Sequence, residues 1–406
     1  MAIKFYNTLT GKKEVFKPLE DRKVKLYTCG PTVYNFAHIG NFRTYIFQDL
    51  MRRWLEYRGY KVTQVMNITD VDEKTIERAK RKKVDLFDIT EEYTKAFYED
   101  ISTLNIEEPE FRPLTSEHID DMVKLTKKLL ERGYAYKTED GSVYFDVGKF
   151  EDYGKLSGLE PKAKLRAKTK REDYQAPKHF ALWKAWDEMD YNVVWESEFG
   201  RGRPTWHVEC SALALRFLAD TMDIYSGGID LVFPHHENGI AVSEAATGNP
   251  FANYWLHCMH LLVDGKKMSK SLGNFYTIRD LLKKGFSPGA IRLVLLSTHY
   301  REELDFTFDK LEKAEEDIQR LDKLIERLKK IDDKNRNGQL KDKSQKMKSQ
   351  FEKYMDDDLR IDEAIKVFFD FIIKTEEALN NKNIQKDDVK AITQTIIELN
   401  KVLAIL

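Results

Sequence analysis

The chain is poor in cysteine and has no long apolar run. Its three cysteines, Cys29, Cys210 and Cys258, are spread over 406 residues, too few and too scattered for a disulfide framework. We therefore expect reduced thiols or metal ligands. A signal peptide and an apolar stretch of membrane-spanning length are both missing. We expect a cytoplasmic monomer with no membrane partner.

An excess of charge of either sign is also missing. Lys and Arg number 67 and Asp and Glu 68, for a net charge of −1, so no global field attracts nucleic acid. Two basic runs, Arg78–Lys83 and Lys162–Arg171, have the character of a surface that follows a phosphate backbone. Because 33% of all residues are charged, a solvated charged face explains either run equally well.

The sequence does contain a strand, a loop and a helix around its first cysteine. Val24–Thr28 has strand character, Gly30-Pro31 ends it, and a helical apolar pattern follows Asn41. The loop presents Cys29, and His38–Asn41 lies where the helix begins, with unpaired backbone N–H groups that suit a phosphate. A single cysteine is more often a small buried apolar side chain than a ligand, so this stretch alone does not decide the function.

A second apolar run, Lys61–Thr69, follows that helix. Strand, helix and strand with short connections predict a βαβ unit and hence a parallel sheet. Ligands of open parallel sheets bind at the carboxyl ends of the strands, so Thr69, Asp70 and Asp72 are candidate substrate contacts. For such an aspartate the alternative is an N-cap of a helix that begins at Glu73.

The next regions differ in character. Residues 134 to 205 are aromatic and basic with short strand-like pieces, which we interpret as an insertion that splits the parallel-sheet domain. From Phe308 onward the apolar residues recur at helical spacing, which predicts a helical bundle. The fold class is therefore α/β with an appended bundle.

Two further clusters of reactive side chains lie beyond the insertion. Cys210 is at the start of a predicted helix, and His235 and His236 follow a predicted strand. Two cysteines and a nearby histidine are a plausible Zn²⁺ donor set, although the spacing from Cys29 to Cys210 matches no finger pattern. The loop Lys266–Ser271 carries three lysines and two serines. It suits closure over a polyphosphate, and an ordinary exposed loop is the alternative.

The two motifs His38-Ile-Gly-Asn41 and Lys267-Met-Ser-Lys-Ser271 together resemble class I aminoacyl-tRNA synthetases, which pair a HIGH-type and a KMSKS motif to bind ATP. Four more segments narrow the resemblance to the cysteinyl-tRNA synthetase family: Thr28–Tyr34, Asn67–Asp72, Gly202–Ser211 and Phe233–Asn238. The resemblance implies a Rossmann-like doubly wound parallel sheet. Its implied boundaries are 1–110 and 203–262 for the two halves of the catalytic domain, 111–202 for the insertion, 263–307 for the KMSKS and stem-contact region, and 308–406 for a tRNA-binding helical bundle.

The resemblance also implies one Zn²⁺ per chain, bound by Cys29, Cys210 and His235. The family usually supplies a glutamate as the fourth ligand, and Gly239 occupies that place here. The fourth position is then open to water or the substrate thiolate, or to Glu237 or His236. Zn²⁺ favours a thiolate over a serine hydroxyl, so such a site selects cysteine without an editing domain.

The implied substrate contacts form two groups. The amino-acid pocket is lined by Gly30, Thr69, Trp206 and Asp230. The ATP site, which also takes Mg²⁺, is formed by His38, Gly40, Asn41, Lys267, Ser269 and Lys270, of which His38, Asn41, Lys267 and Lys270 carry the catalysis. The implied reaction is ATP-dependent formation of cysteinyl-adenylate from L-cysteine, then transfer to the terminal adenosine of tRNA-Cys, by positioning and stabilisation of phosphate charge.

The end of the chain leaves alternatives open. Family members generally continue into a small anticodon-contacting domain, whereas this sequence stops at Leu406. It is a natural short form, a truncated chain, or a paralogue with another acceptor. The rival functions are a cysteine ligase that passes activated cysteine to a small amine, and a non-catalytic RNA-binding paralogue. The intact phosphate-binding motifs oppose the second, and Tyr34–Asn41 and Phe233–Asn238 oppose the first.

Overall fold

The computed structural model describes residues 2–158, 179–269, 272–331, 340–381 and 383–406. The basic run Lys162–Arg171, Lys270 and Ser271 of the lysine loop, and residues 332–339 therefore lie outside the described residues. Within the described part, no helix combines the length and the apolar character that crossing a bilayer requires.

The described part of the chain alternates short strands and helices before a helical C-terminal third. The strands are β1 Lys4–Asn7, β2 Lys12–Val15, β3 Lys23–Thr28, β4 Lys61–Met66, β5 Ala135–Lys137, β6 Val143–Asp146, β7 His179–Ala185, β8 Gly202–Pro204, β9 Met222–Gly228, β10 Ala252–Cys258, β11 Leu261–Val263, β12 Lys266–Lys267 and β13 Leu304–Phe306. The α-helices are α1 Ile39–Tyr57, α2 Glu73–Lys82, α3 Leu86–Thr103, α4 Ile119–Glu131, α5 Trp206–Phe217, α6 Glu237–Thr247, α7 Ile278–Lys283, α8 Pro288–Leu296, α9 Phe308–Lys329, α10 Leu340–Asp356, α11 Ile361–Asn380 and α12 Lys386–Leu403.

The central sheet has four parallel strands in the order β10-β9-β3-β4. The predicted βαβ unit is confirmed as β3, α1 and β4, and α1 begins at Ile39, two residues before the predicted Asn41. Apolar residues of β3 and β4 are buried on both faces of the sheet, as expected where helices cover both sides. The predicted α/β class is confirmed.

A second sheet separates the two halves of the central one along the chain. It is antiparallel, in the order β5-β6-β7-β8, and packs with α4 and α5 around its own apolar cluster, which includes Phe145, Leu182 and Val208. The predicted strand pieces at Ser142–Asp146 and Phe180–Trp183 are β6 and part of β7. This sheet adjoins the start of α5, where Cys210 lies.

The C-terminal third is helical, as predicted. Helices α9 to α12 bury apolar faces, for example Leu321 of α9 and Ile396 of α12. The bundle also contacts α1: the guanidinium of Arg292 in α8 binds the carboxylate of Asp49 in α1 and the backbone oxygen of Leu403 at the end of α12. Both charged side chains are almost fully buried, so this pair ties the helical region to the helix that carries the His38–Asn41 motif.

Candidate active site

The site lies where the strand order of the central sheet reverses. After β3 the chain adds β4 on one side, and β9 later pairs on the other. Such a reversal opens a crevice at the carboxyl ends of the strands. Cys29 follows β3 directly, Gly227 and Gly228 end β9, and the start of α5 and the kinked segment Val232–His236 lie beside them.

Two thiols and two imidazoles meet in this crevice. His235 Nε2 lies 3.3 Å from Cys210 Sγ, and His236 Nε2 lies 3.2 Å from Cys29 Sγ. The donor atoms of Cys29, His235 and His236 are all within 4.8 Å of one another. The structure thus brings together the three predicted ligands and adds His236. The histidines do not directly follow β9, as predicted; two short helical turns, Ile229–Leu231 and Val232–His236, intervene.

Burial controls the protonation of this cluster. It lowers the pKa values of His235 and His236 well below the usual histidine range, because a buried imidazolium is poorly solvated. The pKa of the Cys210 thiol is raised, first by burial and then by the neighbouring Cys29. Both imidazoles are therefore neutral and present lone pairs, whereas the buried thiol lacks a cation to stabilise its thiolate.

The donor chemistry of the cluster fits Zn²⁺. Thiolates and neutral imidazoles are the ligands that zinc prefers, and all four side chains are buried. Among the described residues, Nδ1 of His235 is a buried nitrogen without a hydrogen-bond partner. The ring of His235 stacks on Trp206 with 3.9 Å between centroids and 5° between planes, so Trp206 fixes its orientation. The cluster is therefore compatible with a metal site.

Glu237 does not face this cluster. Its carboxylate accepts backbone N–H bonds from Gly154 at 2.9 Å, Leu156 at 3.2 Å and Ser157 at 2.8 Å, and the residue is completely buried. Both oxygens are thereby committed to holding the loop after β6. Gly239 lies one turn further along α6, where a Cβ would meet only ordinary contacts at 3.7 Å and 3.8 Å.

A buried carboxylate that the sequence interpretation did not single out lies beside the cluster. Glu209 Oε1 accepts from Thr69 Oγ1 at 2.6 Å and from Asn67 Nδ2 at 2.7 Å. Asn67 Oδ1 in turn accepts from the N–H of Gly30 at 3.1 Å. Burial raises the pKa of Glu209 to about 7. The network joins the ends of β3 and β4 to α5, and so connects two of the predicted pocket residues, Gly30 and Thr69.

Gly30 also has a steric role. A Cβ at this position would lie 1.8 Å from the backbone oxygen of Asn67, so only glycine permits this approach of the two strand ends. The aspartates after β4 have structural partners: Asp70 accepts from the backbone and side chain of Ser116, and Asp72 is the N-cap of α2. For Asp72 the N-cap alternative is therefore confirmed.

The remaining predicted pocket residues border the open side of the crevice. Trp206 is half-buried at the first turn of α5, and Asp230 is exposed just after β9. Gly228 has no side chain to separate it from Asp230, because a Cβ there would lie 2.6 Å from Asp230 Oδ1. The exposed carboxylate thus lies over the end of β9, a short distance along the chain from the histidines.

The motif His38–Asn41 forms a reciprocal cap at the start of α1. The N–H of Asn41 donates to His38 Nδ1 at 3.1 Å, and the N–H of His38 donates to Asn41 Oδ1 at 3.1 Å. Each side chain therefore satisfies a backbone group of the other, which is the capping-box arrangement. This fixes the His38 ring and directs the positive end of the helix dipole to the crevice.

The lysine loop packs against this cap. The N–H of Ile39 donates to the backbone oxygen of Tyr276 at 3.0 Å, and a Cβ on Gly40 would lie 3.2 Å from Cε of Met268. Lys267 is exposed at the end of β12, and Ser269 is held by Asn274, whose Oδ1 accepts its N–H at 2.8 Å. The structure brings His38, Gly40, Asn41, Lys267 and Ser269 to one region, and Lys270 lies outside the described residues.

The fold and this site define a class I aminoacyl-tRNA synthetase. Residues 15–316 match the family model described as tRNA synthetases class I (C) catalytic domain. A methionyl-tRNA synthetase of Mycobacterium tuberculosis, solved with methionyl-adenylate, shares the fold at a TM-score of 0.70 and 12% identity, over 94% of this chain and 92% of that one. A leucyl-tRNA synthetase of Agrobacterium radiobacter K84 gives 0.68 and 13%, over 96% and 84%.

Curated relatives narrow the class further. A cysteine--tRNA ligase of Brachyspira hyodysenteriae is 46% identical over 99% of this chain and 86% of its own length, and one of Chlamydia pneumoniae is 45% identical over 99% and 86%. The chain belongs to the cysteine--tRNA ligase family. It is an enzyme whose partners, as membership implies, are tRNA, an amino acid and ATP.

Three features of the site were not predicted from the sequence. Glu209 directly precedes the predicted ligand Cys210, but its partners come from the distant end of β4. His257 and Thr8 contact the histidine pair through His236. For Glu209 a signal existed, since an acidic residue amid the apolar face of a helix must find buried partners. For Thr8 no local signal existed.

Proposed function

We propose that this chain activates L-cysteine with ATP to cysteinyl-adenylate and transfers the cysteinyl group to the terminal adenosine of tRNA-Cys. The observation that carries the proposal is the buried cluster of Cys29, Cys210, His235 and His236, because a donor set for a thiophilic metal inside a class I synthetase crevice suits an amino acid with a thiol. The family relatives support the same overall reaction.

Selection of cysteine is assigned to Zn²⁺ held by Cys29, Cys210 and His235. Bound there, zinc supplies a Lewis acid that favours a thiolate over the harder serine hydroxyl. The chain's own part is orientation: Trp206 holds the ring of His235 by stacking. The network of Glu209 and Asn67 holds Thr69 and Gly30, which together with Asp230 line the amino-acid pocket.

Activation is assigned to the two motifs at the start of α1. The carboxylate of cysteine attacks the α-phosphorus of ATP and pyrophosphate leaves; a ribose hydroxyl of the terminal adenosine then attacks the acyl carbon and AMP leaves. His38, Gly40 and Asn41 meet the phosphates at the positive end of α1. Lys267, Ser269 and Lys270 neutralise the β- and γ-phosphates, with Mg²⁺. No side chain acts as a covalent nucleophile.

The test is cysteine attachment to a tRNA-Cys transcript by the full chain, with and without a zinc chelator and with serine as the competing amino acid. We expect charging with cysteine, its loss on chelation, and recovery when Zn²⁺ is added back. A matched control is Cys258→Ser, because Cys258 is buried at the end of β10 away from the cluster and contacts backbone oxygens of Arg43 and Met259.

Two outcomes would contradict the proposal. Pyrophosphate release with cysteine but no charging of any tRNA would favour a cysteine ligase that uses a small amine acceptor. Charging that is indifferent to chelation and to Cys210→Ser would remove the zinc from the mechanism and leave the overall reaction in place.

A further inference from the structure

His236 has the geometry of a metal ligand. Its Nε2 is 3.2 Å from Cys29 Sγ, and the matching contact of His235 with Cys210 is 3.3 Å. Two donors of one tetrahedral zinc lie roughly 3.3–3.8 Å apart, given metal–donor bonds of roughly 2.0–2.3 Å. Both contacts are close to that spacing, and Cys29, His235 and His236 converge within 4.8 Å.

Neither of the other side-chain positions nearby can supply this ligand. The carboxylate of Glu237 is occupied by three backbone N–H groups from Gly154, Leu156 and Ser157, and rotating it toward the cluster would leave those groups buried and unpaired. Gly239 has no side chain. His236 is therefore the described residue that reaches the thiol of Cys29 from this segment.

The second nitrogen of His236 is held by a chain of hydrogen bonds. His236 Nδ1 is 2.8 Å from His257 Nε2, and His257 Nδ1 is 2.8 Å from Thr8 Oγ1. Burial lowers the pKa of His257 to about 3, so both rings are neutral. If Nε2 of His236 presents its lone pair, Nδ1 carries the proton and donates to His257, which donates in turn to Thr8. One consistent set of tautomers results.

The backbone of β9 leaves room for this ring. A Cβ on Gly227 would lie 2.7 Å from Cε1 of His236 and 3.0 Å from its Nε2. Real Cβ atoms essentially never approach a neighbour this closely. The absence of a side chain at Gly227 is thus what lets the ring reach Cys29.

We propose that His236 Nε2 is the fourth zinc ligand of this chain, in place of the side chain that Gly239 lacks, with His257 and Thr8 as positioning residues that fix its tautomer. The inference rests on the zinc site proposed above and specifies its ligand set as two cysteines and two histidines. With four donors from the chain, zinc is retained in the absence of cysteine.

The first experiment is X-ray absorption at the zinc edge of the full-length wild-type chain, dialysed without cysteine. We expect one zinc per chain, with two sulfur donors and the outer-shell scattering of two imidazoles. Zinc with a single imidazole would overturn this inference alone and leave the proposed function standing. A chain that holds no zinc would overturn both the zinc-based selection and this inference.

The second experiment is a double-variant cycle on zinc affinity, measured by competition with a chelator and by the visible spectrum of the Co²⁺-substituted chain. We expect His236→Gln to weaken zinc binding by at least about 100-fold, and His257→Asn by roughly 10–100-fold through loss of orientation. Gly239→Glu should restore most of the affinity in the His236→Gln background and add little to the wild type. Equal effects of Gly239→Glu in both backgrounds would refute the assignment.

Circular dichroism melts accompany each variant. A His236→Gln chain that melts as the wild type does yet keeps the wild-type zinc affinity and Co²⁺ spectrum would also refute it. If His236→Gln does not fold, the absorption measurement on the wild type decides.

Discussion

The glycine at the end of β9 offers a sharp test of the site geometry. In Gly227→Ala the new methyl would lie 2.7 Å from Cε1 of His236. Ordinary contact begins near 3.4 Å, so the ring must retreat by about 0.7 Å, because the strand backbone is paired on both sides. A coordination site tolerates errors of about 0.2 Å in the position of a donor. The substitution should therefore impair ligation by His236.

The expected losses follow from that displacement. Overpacking of this kind costs about 1–3 kcal/mol of folding free energy, and a misplaced ligand should weaken zinc binding by roughly 10–100-fold, as loss of an orienting partner does. The KM for cysteine should rise as zinc occupancy falls. Zinc affinity is measured by chelator competition, stability by urea unfolding, and KM by ATP–pyrophosphate exchange.

The matched control is Gly239→Ala, also close to the cluster. Its Cβ would meet Phe251 at 3.7 Å and Ser211 at 3.8 Å, and alanine is the better helix former by about 1 kcal/mol. We expect unchanged zinc binding and equal or greater stability. The reasoning is refuted if Gly227→Ala binds zinc as tightly as Gly239→Ala does, because the ring would then not need the space that Gly227 leaves.

Three further perturbations have defined outcomes. Asp49→Ala leaves the buried guanidinium of Arg292 without its carboxylate, so we expect urea unfolding to show a loss of about 3–5 kcal/mol; a loss below 1 kcal/mol would argue against the pair. Burial lowers the pKa of His207 to about 4. The unfolded chain then takes up a proton below pH 6.5 that the folded chain refuses, so stability is full above pH 6.5 and falls toward pH 4. His207→Gln should reduce this slope by about 1.4 kcal/mol per pH unit, and an unchanged slope would contradict the burial argument. Asn41→Ala removes the reciprocal cap with His38; we expect about 1 kcal/mol of lost stability and slower ATP–pyrophosphate exchange, and unchanged exchange would count against a phosphate role.

Much of the fold could be read from local patterns. The βαβ unit at β3, α1 and β4 follows from two short apolar runs and one helical period, because parallel strands need a helical crossover between them. The helical C-terminal region follows from apolar residues such as Leu321 and Ile396, which recur at helical spacing and are buried as expected. These features depend on residues close in sequence, where the physical constraint is local.

The sequence by itself also determined which side chains carry the candidate chemistry. Cys29, Cys210 and His235 are few, soft and placed next to strand or helix ends, so their type and position were enough to single them out as a metal donor set. The two phosphate motifs were identified in the same way, from residue type beside a helix start and from a lysine-rich loop.

Only the tertiary structure decided how these groups are oriented and which neighbours complete them. The choice of His236 over Glu237 depends on backbone N–H groups of Gly154–Ser157 and on His257, which lie about 20 to 80 residues away along the chain. The partners of Glu209 at Asn67 and Thr69 are equally distant in sequence. A buried polar group must be paired, but which partner it finds depends on the order in which strands assemble into the sheet. That order is a property of the whole fold and not of any one segment.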